Sequence, residues 1–256
     1  IMAFSPVFQR PFSATFDRRA ATAGNGLLNN LVGYWPLNEA SGNALDLHSN
    51  GLTLTDQMTV TSNTGKVYAL ARQFSVAANE GFYRSSESLL QTGGATDFTL
   101  AIWLNLTTNI KPQALVAKRS AAAAGEFTSF YGLSGKFEFF VRDSDWRGVT
   151  ANTFGAPSTG VWYLVIMQHV SSTKTISISV NAGAEDTNTY AGTFSTTTAT
   201  FGVGNEIYAS GSAANMVAGP VAMWKSAAGG GGVLSAAQRT ALYNAGNGLA
   251  YAQFTT

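Results

Sequence analysis

The stretch FTLAIWLNL, residues 98–106, places an apolar side chain at every second position. A period of two is that of a β-strand, in which successive side chains point to opposite faces of the sheet. The alternating set consists of Phe98, Leu100, Ile102, Leu104 and Leu106. This stretch therefore predicts a strand that turns one face toward an apolar interior.

Runs of the same kind recur along the chain, separated by turns rich in glycine, serine, threonine and asparagine. They include KFEFFVRD (136–143), WYLVIMQHV (162–170) and TISISVN (175–181). No helical periodicity lies between them, which favours an antiparallel sandwich or barrel over a fold of alternating strands and helices.

One helix is predicted at the C-terminal end, over residues 235–245. Ser235 and Gln238 have the spacing of a capping box, and Gly246 follows the last periodic residue. We expect Leu242 and Tyr243 to dock this helix on the sandwich, followed by a short docked tail.

The composition argues against several classes of function. Only 11% of residues are charged, against about a quarter in typical proteins, and the formal net charge is +1. Because such a chain has no field that attracts phosphates, we expect no nucleic-acid partner. The absence of cysteine excludes disulfides and cysteine nucleophiles. No apolar run approaches the ~18 residues of a membrane span, so no membrane partner is expected.

Residues 1–30 differ from the rest and predict an extended N-terminal arm preceding one domain over residues 31–256. Phenylalanine recurs there at a helical spacing, but Pro6 and Pro11 disfavour a helix, since each lacks an N–H and biases its predecessor toward extended geometry. The arm docks either on its own sandwich or on a neighbouring subunit. Its candidate docking residues are Phe4, Phe8, Arg10, Phe12, Phe16, Arg18 and Arg19.

Motifs spread over residues 31–248 jointly resemble one known family. They are LVGYWPLNEASGN (31–43), the strands within 162–181, and VAMWK (221–225) followed by the helix LSAAQRTALYN (234–244). In this order they resemble the laminin-G-like (LamG-like) jelly roll of concanavalin A-like domains. The resemblance implies an all-β, two-sheet antiparallel jelly-roll sandwich.

Tryptophans in the strand-like runs are expected to fill the space between two sheets about 10 Å apart. These are Trp35, Trp103, Trp162 and Trp224. Trp146 differs, because it stands in RDSDWRG (142–148), which we interpret as a polar loop.

Domains of this family often hold a structural calcium through a carboxylate in the penultimate strand. This chain has Gly219 and Pro220 there, whereas calcium prefers six to eight oxygens, several of them from carboxylates. We therefore expect no metal and no cofactor, although Asn38, Glu39 and Asp46 are the residues that could assemble a weak calcium site.

No pattern in the sequence predicts an enzyme. Retaining glycosidases need two carboxylates about 5 Å apart, but Glu138 and Asp143 have opposite strand parity. His48 and His169 show no metal-binding spacing, and we interpret them as solvated or locally bonded imidazoles. We expect no catalytic residue.

Two binding roles remain open. In one, the domain is a lectin-like module that recognises a cell-surface glycan, because aromatic rings stack on sugars while polar groups bond their hydroxyls. The candidate carbohydrate-binding residues are Trp146, Tyr131, Asp143, Asn205 and Tyr208.

The preferred prediction is a virion structural protein, a capsid decoration, cement or fibre-type module that docks through its arm. The C-terminal tail resembles LamG-like segments of tailed-phage virion proteins. Each arm phenylalanine could contribute about 1.5–3 kcal/mol on burial. This role implies other virion proteins such as a major capsid protein as partners, a homo-oligomer, and a place on the particle surface after synthesis in the host cytoplasm.

Overall fold

The computed structural model describes residues 24–85, 87–121, 124–206 and 212–256. Over these ranges the chain forms fifteen strands and one α-helix, α1 (Ala236–Tyr243). In chain order the strands are β1 (Leu31–Trp35), β2 (Thr55–Gln57), β3 (Thr61–Thr64), β4 (Leu70–Phe74), β5 (Gly81–Arg84), β6 (Thr96–Leu106), β7 (Gln113–Ala121), β8 (Ala124–Tyr131), β9 (Phe137–Arg142), β10 (Trp146–Thr150), β11 (Trp162–Val170), β12 (Thr175–Val180), β13 (Asp186–Thr189), β14 (Phe201–Val203) and β15 (Met216–Ala227).

The strands form two antiparallel sheets. The first sheet has eight strands in the order β13-β12-β11-β6-β15-β4-β3, with β1 also paired to β15. The second has seven, in the order β10-β9-β8-β7-β14-β5-β2. The predicted all-β sandwich with one short C-terminal helix is confirmed.

The stretch 98–106 lies in β6, near the middle of the first sheet between β11 and β15. Its alternating apolar side chains all belong to the interior cluster between the sheets. The other parity, which includes Trp103 and Asn105, faces outward. Both sides of this strand therefore determine the structure, one as core and the other as the base of an outer layer.

That outer layer corrects the prediction for the tryptophans. Trp35 does lie between the sheets, where its Nε1 donates to the carbonyl of Leu52 at 2.6 Å. Trp103 and Trp224 are also buried, but in a second apolar cluster on the outer face of the first sheet, and Trp162 is only half-buried against it. The reason is that α1 and the C-terminal tail cover this outer face.

The helix begins as predicted and ends earlier. Ser235 and Gln238 form the capping box, and the helix stops at Asn244, because Asn244 and Ala245 adopt positive φ angles of 48° and 50°. Leu242 is buried, while the ring of Tyr243 stacks on Trp103 with 5.8 Å between centroids. The helix thereby covers Trp103.

Residues 25–30, which the predicted arm included, pack in the same outer layer. The side chain of Leu27 is buried, and its carbonyl accepts from Trp224 Nε1 at 2.8 Å. The amide of Leu28 donates to the carbonyl of Thr255 at 3.0 Å. This segment and the C-terminal tail therefore close the outer layer together. The seven predicted docking residues of the arm lie outside the described residues.

His169 is locally bonded and fully buried, so the solvated alternative does not apply to it. Its Nδ1 lies 2.7 Å from the carbonyl of Thr96, and its Nε2 lies 2.7 Å from Tyr190 Oη. Because a carbonyl can only accept, Nδ1 carries the proton and Nε2 accepts from the tyrosine. Burial lowers the pKa of His169, which keeps the imidazole neutral.

Asp46, one of the residues considered for a weak calcium site, stabilises the first turn through hydrogen bonds. The Asp46 carboxylate accepts from the amides of Tyr34, His48 and Leu52, each at 2.9 Å. Within the described ranges, no three His, Cys, Asp or Glu side chains come together as a metal site would require. None of the helices in this part of the chain is long and apolar enough to cross a membrane.

Candidate binding site

Trp146, the central residue of the predicted sugar site, lies in a strand and not in a loop. It is the first residue of β10, and its half-buried ring has the guanidinium carbon of Arg119 at 4.8 Å and that of Arg142 at 5.6 Å from its centroid. Such contacts are cation–π interactions within the protein itself. The Trp146 ring therefore already packs against arginine side chains of the second sheet.

The other described candidates support the fold. Tyr131 is buried between the sheets, with its ring edge-to-face against Phe137 at 6.3 Å. Asn205 is buried and donates to both oxygens of Asn79. Tyr208 lies outside the described residues.

The carboxylate of Asp143 is likewise bonded to other groups of the protein. Its carboxylate accepts from the amides of Asp145 at 2.9 Å and Gly192 at 3.2 Å, and it pairs with Arg147 Nε. Burial alone would raise the pKa of Asp143, but these hydrogen bonds outweigh burial and lower it. The predicted set therefore does not converge on one open surface.

An open cleft lies instead on the outer face of the first sheet, around Trp162. Two adjoining cavities of about 470 and 510 Å³ share Trp162 and Gly160, and we name them together the Trp162 cleft. Trp162 opens β11 directly opposite Asn105 of β6, which in turn lies opposite Val217 of β15. The pairing register therefore brings these three side chains to the same face.

Trp162 lines both cavities, and we divide the cleft there into two halves. We call the cavity toward β3 the strand-side half, and it is lined by Asn63, Thr64, Asn105, Thr107, Thr159 and Val217. We call the cavity toward α1 the helix-side half, and it is lined by Lys66, Trp103, Val161, Asn181, Tyr243 and Asn247, with Ala245 and Gly246. Each half joins an aromatic ring to amide groups.

Two buried polar atoms in the cleft lining have no hydrogen-bond partner among the described residues. They are Oδ1 of Asn105 in the strand-side half and Nε1 of Trp103 in the helix-side half. A buried polar group without a partner costs about 1–3 kcal/mol, so native proteins rarely leave one. A ligand that supplied the missing partners would recover this cost.

The bulge in β15 places Gly219 against the Trp162 ring. The pairing of β15 with β6 shifts register between Ala218 and Val221, where Gly219 and Pro220 stand. Glycine and proline are typical of bulges, because proline cannot donate to the ladder. A Cβ placed on Gly219 would lie 3.5 Å from the Trp162 ring. Gly219, one of the two positions where the family resemblance leads us to look for calcium-binding acids, here packs against an aromatic ring.

Chemically, the Trp162 cleft can hold a polar ligand that has an apolar face. Amide groups and hydroxyls border the indole, and Lys66 is the single charged residue in the lining of the two cavities. No carboxylate or imidazole lines either half, so the lining lacks the pair of carboxylates that glycosidases use.

Sequence reasoning assigned Trp162 to the core, because it stands in a strand-like run. A signal for the cleft was nonetheless present: Asn105 is polar within the apolar run 98–106, on the parity opposite to the core set. A polar residue on that parity indicates that the outer face is not uniformly covered.

The sequence also matches a family model. The model, Laminin_G_3, is described as the concanavalin A-like lectin/glucanases superfamily and matches residues 80–227, more than half of the chain. The chain belongs to this superfamily. The match spans β5 to β15 of the lectin/glucanase sandwich and stops before α1. No curated protein matches the sequence.

Solved structures share the lectin/glucanase fold at low sequence identity. The binding domain of Paraclostridial Mosquitocidal Protein 1 is 14% identical with a TM-score of 0.65, covering 84% of this chain and 52% of that one. Domain 4 of AbnA, a GH43 extracellular arabinanase from Geobacillus stearothermophilus in complex with arabinotriose, is 14% identical with a TM-score of 0.61, covering 82% and 97%. Trypanosoma rangeli sialidase, in complex with 2-keto-3-deoxy-D-glycero-D-galacto-2,3-difluoro-nononic acid, is 11% identical with a TM-score of 0.61, covering 84% of this chain and 32% of that one.

The chain thus spans about half of the toxin binding domain and a third of the sialidase, but nearly all of the arabinanase domain. At these identities the likeness shows a common fold.

Proposed function

We propose that this domain is a carbohydrate-binding module that holds an oligosaccharide in the Trp162 cleft without cleaving it. The observation that carries the proposal is the half-buried indole of Trp162, bordered on both sides by amides and hydroxyls. Sugars present apolar C–H faces and polar rims, so an aromatic ring beside planar polar groups is the surface they require.

The fold supports a sugar-binding role. Domain 4 of the arabinanase, which this chain matches over most of both lengths, was solved with arabinotriose. A lectin/glucanase sandwich can therefore present a saccharide site, although the residues that form one here must be this chain's own.

The lining of the cleft supports binding without hydrolysis. Glycoside hydrolysis uses a pair of carboxylates on either side of the scissile bond, about 5–10 Å apart. The lining of the Trp162 cleft contains no Asp or Glu. The proposal therefore treats the domain as non-enzymatic.

Replacing Trp162 with alanine tests the proposed site. We expect the dissociation constant for the bound oligosaccharide to rise about thirtyfold, because a central tryptophan typically contributes about 2 kcal/mol to binding. A glycan array of neutral and acidic oligosaccharides identifies the ligand, and calorimetric titration measures the change.

Trp146→Ala is the matched control. Both tryptophans are half-buried and open a strand, but they lie on opposite sheets. We expect Trp146→Ala to bind as the parent does. Loss of binding in Trp146→Ala with full binding in Trp162→Ala would move the site to the second sheet, and a parent that binds no glycan would refute the carbohydrate proposal.

The virion role stays a prediction, since its docking residues lie outside the described residues. Because the carbonyl of Leu27 is hydrogen-bonded to Trp224, the deletion that tests the virion role should remove residues 1–23 and keep residues 24–30. We expect the full chain to form a homo-oligomer and the shortened chain to be monomeric with an unchanged melting temperature, measured by sedimentation velocity and circular dichroism. Equal sedimentation of both chains would contradict an assembly role for the arm.

A further inference from the structure

We infer that the Trp162 cleft binds an oligosaccharide that crosses Trp162 and places a carboxylate-bearing sugar, a uronic or sialic acid, in the helix-side half. This inference rests on the proposed carbohydrate-binding function and adds the chemical class of the ligand and its direction. It follows from the different polar groups that the two halves present.

Each half has room for a sugar ring of its own. The two cavities measure about 470 and 510 Å³, which lies within the ~300–1,000 Å³ typical of small-molecule sites. Both are lined by Trp162 and Gly160, so a chain of linked sugars that fills both passes along these two residues. A single sugar ring would occupy one half only.

The helix-side half presents a cation and hydrogen-bond donors. Lys66 is exposed and forms no ion pair with any described carboxylate. Trp103 is 3% exposed, and its Nε1, which can only donate, has no partner among the described residues. Asn181 accepts from the amide of Leu164 through Oδ1, which leaves its Nδ2 group as the donor for a ligand. Donors and a positive charge select an anionic acceptor.

The strand-side half presents acceptors and hydroxyls without charge. Oδ1 of Asn105 is buried and has no partner among the described residues, so it can accept a hydrogen bond from a ligand hydroxyl. Thr107 and Thr159 line the same half, and hydroxyls both donate and accept. A neutral sugar, whose hydroxyls do the same, fits this half.

The charge of the cleft supports the assignment. With Lys66 as its single charged lining residue, the cleft is positive at neutral pH. Because Lys66 is exposed and its charge is screened by solvent, we expect its contact with a sugar carboxylate to favour an acidic oligosaccharide over its neutral form by about twofold to fivefold.

The experiment compares acidic oligosaccharides with their methyl esters, which keep the shape and remove the charge. The probes are a glucuronic acid linked to xylobiose, 3′-sialyllactose, each with a single acidic sugar, and the methyl ester of each, titrated into the full chain. We expect at least one acid to bind about twofold or more tightly than its ester. Lys66→Gln should reduce that ratio to about one, while Lys136→Gln, a lysine that lies away from the cleft, should leave it unchanged.

Asn105→Ala tests the passage across Trp162. Because the variant removes an acceptor that has no partner, we expect its melting temperature to be equal to or above that of the parent. Its affinity for the acidic trisaccharide should fall about threefold or more, while its affinity for monomeric glucuronic or sialic acid should not change. A fall of the same size for the monosaccharide would contradict the assignment of the acidic sugar to the helix-side half.

The outcomes separate the inference from the proposed function. Equal binding of acids and esters, or an acid preference that survives Lys66→Gln, would overturn the inference and leave a carbohydrate-binding module for neutral sugars. A parent chain that binds none of the probes and no glycan on an array would overturn both.

Discussion

Replacing Lys118 with methionine is expected to lower the free energy of unfolding by about 3–5 kcal/mol, because it leaves a buried charge without its counter-ion. Lys118 Nζ lies 3.1 Å from Glu126 Oε1, with the lysine side chain 1% exposed and the glutamate 0%. The ammonium also donates to the carbonyls of Thr197 at 2.9 Å and Ala199 at 3.0 Å. Urea unfolding monitored by circular dichroism measures the loss.

A second substitution serves as the control for Lys118→Met. The double variant Lys118→Met with Glu126→Gln removes both charges of this pair, so we expect it to recover a large part of the lost stability. Glu126 accepts from the amide and hydroxyl of Thr92 and from the amide of Thr197, and one oxygen of the glutamine could keep some of these bonds. If the single and double variants are equally unstable, the loss comes from packing and not from the unpaired carboxylate.

Trp224→Ala is expected to have an effect of similar size, about 3–5 kcal/mol, as large aromatic truncations in cores do. Trp224 is fully buried in the outer layer, bonded to the carbonyl of Leu27 and stacked on Phe254 at 6.2 Å. Its loss should therefore also loosen residues 25–30 and the C-terminal tail. Hydrogen exchange of the Leu28 amide, which bonds to Thr255, reports on that local opening.

Trp162→Ala is the matched comparison for Trp224→Ala. Both rings touch the same outer cluster, but Trp162 is only half-buried, so its truncation should cost clearly less stability. An equal loss would mean that Trp162 acts as core, as its strand pattern suggested, and would weaken the case for a binding ring. A loss below about 1 kcal/mol for Trp224→Ala would contradict the assignment of the outer layer as a second core.

The strands were predictable from the sequence because their signal is local. The period-two pattern of residues 98–106 requires only neighbouring residues, and the structure places all five apolar positions in the interior. The capping box of Ser235 and Gln238 is local in the same sense, and it forms as predicted. The end of the helix was predicted less accurately, because the helix ends where Asn244 and Ala245 adopt positive φ angles, and neither residue is a glycine.

The candidate site was not predictable in the same way. Trp146 stood out because its sequence neighbours are polar, yet its ring contacts Arg119, which lies on another strand. Trp162 looked like core because its neighbours are apolar, yet its ring borders a cleft formed with β3, β6 and the end of α1. Exposure depends on which elements cover a face, and that information is spread over the whole chain.

By itself, the sequence determined the all-β class, the strand runs and the position of the helix, because side-chain periodicity and capping act between residues a few positions apart. Only the tertiary structure decided which tryptophans are buried in which layer, that Lys118 and Glu126 form a buried pair, and that Asn105, Trp103 and Lys66 line one cleft. Strand pairing joins residues up to a hundred or more positions apart, such as Asn105 and Val217, and periodicity cannot encode which strands become neighbours.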